Sequence, residues 1–295
     1  MNAAVPVRAG RRLGMKWRSR SLHLCVHVVL ISFSILLMVP FVWTVSTSLK
    51  EYKDIFVWPP QWIPRPIRWQ NYSEALTVLP FGRFAINTAY IVAAGVLGTV
   101  LSSSLVAFGF ARLRFPGRDL LFLIMLATMM LPGVVTLIPV FVLFRYLGWI
   151  NTPLPLIVPH YFGGGAFNVF LLRQYFSGIP LEMDDAGRID GCSNFGLYWR
   201  IIVPQSANAM AIVAIFTFMG MYHDFMGPLL YLKDLSQYTL AVGLNFFRGL
   251  AGTWGQTYYH WLMAASTVTM IPPLLVFFLA QRYFIQGIVI TGVKG

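Results

Sequence analysis

Four carboxylates stand together in one polar stretch of this chain: Glu182, Asp184, Asp185 and Asp190, within PLEMDDAGRIDGCSNFGLYWRIIVP at 180–204. The whole chain has only 10 Asp and Glu. Oxygen ligands spaced like Glu182, Asp184 and Asp185 suit Mg²⁺. On that reading the stretch serves a membrane-bound, metal-dependent transferase acting on a lipid-linked phosphate. Its neighbours fit a different use. Ala186 and Gly187 are small, so a partner surface can approach the backbone. Other chemistry is missing from the sequence. It has no C-x-x-C and no Cys/His cluster of metal-ligand spacing. It has no G-x-x-x-x-G-K-[ST] phosphate loop, so the chain cannot be its own ATPase. No residue is assigned a catalytic or metal-binding role.

The pattern predicts two short helices around a glycine break. Pro180 suits a first helical turn, where its missing N–H costs little. Glu182, Asp184 and Asp185 then place negative charge at the positive end of the helix dipole. Asp184 and Arg188 are four apart in the favourable acid-then-base order. Gly191 can take the left-handed conformation that ends the helix, and Ser193 or Asn194 can cap the next. Phe195, Tyr198, Trp199 and Ile202 are expected to form one apolar face, closed by Pro204. An amphipathic helix lying on a membrane and a docking loop both satisfy this pattern.

What surrounds the stretch is apolar. The 295 residues are 57% hydrophobic and 11% charged, against about 25% charged in a soluble domain. The chain is therefore expected to be all-α and polytopic, one bundle over 22–295 preceded by a basic arm at 1–21. Six spans are expected at 22–49, 84–110, 120–144, 154–176, 207–230 and 260–284. Breakers interrupt several: Pro132, Gly133 and Pro139 in the third, Pro155, Pro159 and Gly163, Gly164 and Gly165 in the fourth, Pro272 and Pro273 in the sixth. Carbonyls freed by such breaks at membrane depth are tolerated where they line a cavity. No internal repeat is evident, which weighs against a self-sufficient secondary carrier.

The net charge of +12 reads as anchoring beside anionic lipid rather than nucleic-acid binding. Arg8, Arg11, Arg12, Lys16, Arg18 and Arg20 precede the first span. Arg112, Arg114, Arg118, Arg173, Arg188, Arg200, Arg282 and Lys294 fall on the same side, opposite Lys50, Lys53, Arg65, Arg68, Arg83, Arg145, Lys233 and Arg248. This bias predicts a retained signal-anchor with both termini in the cytoplasm, and the segment at about 177–206 there too. Trp58, Trp62 and Trp69 are expected to anchor an outer loop at headgroup level. Cys25 and Cys192 lie in different environments, so no disulfide is expected.

The polar segment resembles the EAA loop of ATP-binding-cassette (ABC) importer permeases. Its core here is Asp185-Ala186-Gly187, then Asp190-Gly191, with Pro204 downstream; Asp replaces the motif's Glu and Gly its second Ala. Asn87-Thr88, ARLRFPGRD at 111–119, MLPGVVTLIP at 130–139 and LGWINTPLPLIVP at 147–159 are similar to the carbohydrate-uptake branch of that family. So are FLLRQYFSGIP at 170–180, HDFMGP at 223–228, QYTLAVGL at 237–244 and the terminal QRYFIQGIVITGVKG. The likeness runs from about Pro40 onward.

That resemblance implies a type I importer permease fold in a bacterial plasma (inner) membrane, with sugar, oligosaccharide or related solute as cargo. It implies a second permease subunit, two cytoplasmic ATP-binding subunits and an extracytoplasmic solute-binding protein as partners. ATP and Mg²⁺ would be held by the ATP-binding subunits, leaving this chain without a cofactor. Asp185, Ala186, Gly187, Asp190, Gly191 and Pro204 would be the coupling residues, and the TGVKG tail a further ATPase contact. Hydroxyl-rich cargo is bound by hydrogen bonds and aromatic faces. Asn87, Tyr161, Asn168 and Tyr222 are therefore candidate path residues, joined by Asp224, an acid at the outer end of the fifth span.

Overall fold

The computed structural model describes the backbone of residues 10–254 and 258–291, and side chains over 23–247 and 258–281. The start of the basic arm, the side chains of its remainder and the tail at 292–295 lie outside the described residues. All described regular structure is helical.

Helix α1 (Gly10–Ser48) opens the chain. Its segment His23–Ser48 has 26 residues, the most apolar stretch reaching a mean hydropathy of 2.5, and makes about 39 Å of helix against a hydrocarbon core of about 30 Å. Its most apolar window buries no residue. Among its described side chains, burial begins at its C-terminal end, with Ser46, Thr47 and Ser48. There an extended loop folds back on it. Trp62 meets Trp43 edge to face at 5.2 Å, and Asn71 of α2 (Gln70–Val78) donates to the carbonyls of Ser48 and Lys50, both at 2.8 Å. Trp58, Trp62 and Trp69 are all exposed.

Helix α3 (Phe81–Arg112) organises the rest. Gly95, Gly98, Thr99, Ser103 and Ser104 make a stripe of small residues along it, which lets neighbouring helices approach. Three core clusters form along its length. At one end Phe81 and Phe84 pack with Ala75, Leu240, Phe247, Ala264 and Ala265. In the middle Ile91 joins Phe144, Leu156, Ile157, Tyr231 and Leu232. At the other end Ala107 and Phe108 meet Val169, Leu172, Phe176, Leu197, Tyr198, Ile202, Ala209 and Val213.

The expected third span is not one straight helix. It is α4 (Arg118–Ala127) and α5 (Gly133–Tyr146), bent by 98°. Pro132 offers no N–H and pushes Leu131 into extended backbone, so the helix cannot continue through it. The fourth span is α6 (Leu154–Ile157) and α7 (Ala166–Ser177), with Gly163, Gly164 and Gly165 all at positive φ between. A Cβ on Gly164 would lie 2.6 Å from the Thr99 carbonyl oxygen, so glycine lets this strand of backbone lie against α3.

Helices α8 (Leu181–Ile189), α9 (Asn194–Leu197) and α10 (Val203–Gln205) carry the polar segment, with a π-turn at Tyr198–Ile202. The chain turns by 79° into α11 (Ala207–Tyr222). The fifth span was expected to reach 230, but α11 stops at Tyr222 and α12 (Met226–Tyr231) starts anew. After α13 (Leu240–Trp254), the sixth span is α14 (Tyr259–Thr269) and α15 (Ile271–Thr291), parted at Met270 just before Pro272 and Pro273. Among the described residues, four helices are long and apolar enough to cross a membrane, or up to six if each bent pair counts as one span.

Candidate functional site

The segment at 180–204 folds as the glycine break requires. Gly191 has φ +82°, a conformation that costs a residue with a Cβ roughly 1–2 kcal/mol. The hydroxyl of Ser193 accepts from the Gly196 N–H at 3.2 Å and caps α9.

The two faces of this hairpin differ from the expected division. Asp184 and Gly187 of α8 are buried. A Cβ on Gly187 would lie 2.6 Å from side-chain carbons of both Leu197 and Ile201, so this glycine seats α8 on the next turn instead of offering backbone to a partner. Ala186 alone of the two small residues faces out, beside Asp185 and Asp190. The expected apolar face also splits. Tyr198 and Ile202 are buried, while Ile189 (87% exposed), Phe195 (67%) and Trp199 (54%) stand outward. Pro204 is exposed at the bend into α11.

Asp184 does not pair with Arg188. Its Oδ2 lies 3.5 Å from Nε of Arg112, the last residue of α3, with both side chains almost fully buried. Nη2 of Arg112 also donates to the Ile179 carbonyl at 2.8 Å. Nearby, the hydroxyls of Ser104 and Tyr198 share a hydrogen bond of 2.7 Å. Arg112 had counted in the sequence only as one more positive charge. With Asp184 turned inward and ion-paired, Glu182, Asp184 and Asp185 do not converge. Among the described residues no three His, Cys, Asp or Glu side chains group as metal ligands.

A residue range of the chain, 99–290, matches a family model described as the binding-protein-dependent transport system inner membrane component. The chain belongs to this family. It is a permease subunit of an ABC importer, a transport component and not an enzyme. The permease is 30% identical over 259 residues to the diacetylchitobiose uptake system permease protein NgcG of Streptomyces coelicolor, covering 87% of this chain and 84% of that one. It is 32% identical over 277 residues to the sn-glycerol-3-phosphate transport system permease protein UgpE of Yersinia pestis, covering 92% and 97%. Its fold matches a chain of the crystal structure of a bacterial ABC transporter that imports the acidic polysaccharide alginate. That match has TM-score 0.77 at 21% identity and covers 96% of this chain and all of the other.

The residues expected along the permease's solute path do not gather at one place. Asn87 donates to the carbonyls of Ser236 and Tyr238 at 2.9 and 3.1 Å. Asn168 donates to the Gly164 carbonyl at 2.7 Å. Tyr161 packs its ring over Gly98. Asp224 accepts from the Gly227 N–H at 3.1 Å and so starts α12. It lines a cavity of about 280 Å³ with His160, Thr88 and Tyr231. Tyr222 donates to the Thr269 carbonyl at 2.7 Å and borders a larger cavity of about 740 Å³. Asn245, Tyr259, Ser266 and Thr269 supply further polar groups there, among apolar side chains. The sequence had singled out none of these four, because each sits in an apolar or glycine-rich run without a motif of its own.

Proposed function

We propose that this permease forms, with a second permease subunit, the path for a sugar, an oligosaccharide or a related polar solute across a bacterial plasma membrane. An extracytoplasmic solute-binding protein delivers the cargo, and two cytoplasmic ATP-binding subunits drive the cycle. Both termini and the segment at 180–204 lie in the cytoplasm on this reading, as the lysine and arginine bias favours. The cargo class is supported by the relatives, one named for diacetylchitobiose and one for glycerol phosphate. The cavity beside Tyr222, Asn245 and Tyr259 is this subunit's contribution to the path. It combines aromatic faces with a few hydroxyl and amide groups, the mixture that suits a hydroxylated solute.

One observation carries the coupling half of this reading. On a loop otherwise polar, Ala186, Ile189, Phe195 and Trp199 stand exposed beside Asp185 and Asp190. Aromatic and aliphatic anchors ringed by charge are the anatomy of a docking patch. A cleft on an ATP-binding subunit receives it. Ala186→Trp should abolish co-purification of the ATP-binding subunit and ATP-driven uptake, with membrane insertion intact. Normal co-purification and uptake would sink the docking assignment. Uptake by vesicles lacking any ATP-binding subunit would instead show a self-sufficient carrier.

A further inference from the structure

We infer that the buried Arg112–Asp184 pair is the positioning contact that passes displacement of α8 to α3, and through α3 to the wall of the larger cavity; this rests on the docking of the 180–204 loop just proposed. Arg112 closes α3 and Asp184 lies in the first turn of α8. Each charge therefore sits at the helix end whose dipole favours it. Arg112 also holds the Ile179 carbonyl, in the link between α7 and α8, so it grips both the helix and its root. A buried ion pair is a poor source of stability compared with apolar packing, but separating it leaves an uncompensated buried charge, so the two helices are held together as they move. Oδ1 of Asp184 has no hydrogen-bond partner, which leaves Arg112 as the polar partner of this carboxylate.

A second tie, between Tyr198 and Ser104, also ends on α3. Leu197, Tyr198 and Ile202 share one apolar cluster with Ala107 and Phe108 of α3. The loop also packs on α7 and α11 in that cluster, but its buried polar side-chain ties, from Asp184 and Tyr198, both end on α3. At the far end of α3, Asn87 holds the carbonyls of Ser236 and Tyr238, and the hydroxyl of Thr88 accepts from the Leu240 N–H at 2.9 Å. Leu240 begins α13, and α13 contributes Leu240, Ala241, Leu244 and Asn245 to the larger cavity. The 32-residue α3 is unbroken between these ties. It links the docking loop to the cavity wall as a rod links two pinned ends.

The test uses the assembled transporter in proteoliposomes, with Cys25 and Cys192 replaced by Ser and Asn245→Cys as reporter. An impermeant maleimide applied from outside reads the exposure of that cysteine, with and without ATP plus vanadate. Trapping should change the labelling rate by about fivefold or more, the lower end of usual coupling factors. In Arg112→Met/Asp184→Leu no unpaired charge is left buried. That variant should keep its ATP-binding subunits and lose the response, while Asp184→Glu should keep both. A full response in the double variant overturns the inference. Loss of the ATP-binding subunits from the double variant overturns it too, because the pair would then only shape the docking face. Ala186→Trp reads docking separately: if it retains the ATP-binding subunits and uptake, the docking reading fails, whatever the pair does.

Discussion

At the scale of single residues, neighbours in sequence have opposite duties. Ala186 faces out and Gly187 faces in. Gly187→Val should therefore overpack the seat of α8 and cost about 1–3 kcal/mol, read as a lower melting temperature in detergent. Ala186→Trp should change stability by no more than about 0.5 kcal/mol and act on docking alone. Lys50 is a different kind of residue. Its ammonium is buried over the Trp43 ring at 3.9 Å with no hydrogen-bond partner. Burial pushes its pKa below the ordinary 10.5, and Asp54 only partly opposes this. The unfolded chain then binds that proton more tightly, so stability rises with pH through the window below 10.5. Melting curves from neutral pH upward should show this gain in the native chain and lose it in Lys50→Met.

At the scale of elements, α3 is where most ties converge. Thr88→Val would leave the buried Leu240 N–H without its acceptor, costing about 1–3 kcal/mol. Hydrogen exchange should show the Leu240 amide opening faster, with the amides of α7 unaffected. Most of these elements could be read from sequence, because a span announces itself by twenty apolar neighbours and a break by Pro132 or Gly191. The end of α11 could not be read, since His223, Asp224 and Phe225 stop it without proline or glycine. Nor could the roles of Asn87, Asn168 and Tyr222. An amide or phenol in an apolar run looks the same whether it meets a solute or a carbonyl, and here each meets a carbonyl. The Arg112–Asp184 pair was hidden for a related reason. Asp184 had a suitable partner four residues away in Arg188, and only the packed fold prefers the distant one.

At the scale of the whole molecule, the chain is not complete alone. Its accessible surface is 19766 Å², where a soluble monomer of 33.3 kDa would expose about 12,600 Å². Much of the exposed surface is apolar: α1 from Leu24 to Val42, then Met130, Val134 and Ile138 around the 98° bend. In the assembly proposed above, bilayer and partner subunits cover these surfaces. Cys25 is exposed on α1, and its labelling by a lipid-soluble maleimide should fall when the second permease is co-assembled. The central place of α3 has one more consequence, for biogenesis. Its polar groups find their partners late: Ser102 with His160, 58 positions on, Ser104 with Tyr198, 94 on, and Thr88 with Leu240, 152 on. On the ribosome, α3 enters the lipid long before those residues are translated. A nascent chain stalled before residue 236 leaves the Asn87 amide without its two carbonyls and the Thr88 hydroxyl with only the Phe84 carbonyl of its own helix, and that bare amide is a mark by which quality-control proteases can tell an unfinished permease from a finished one.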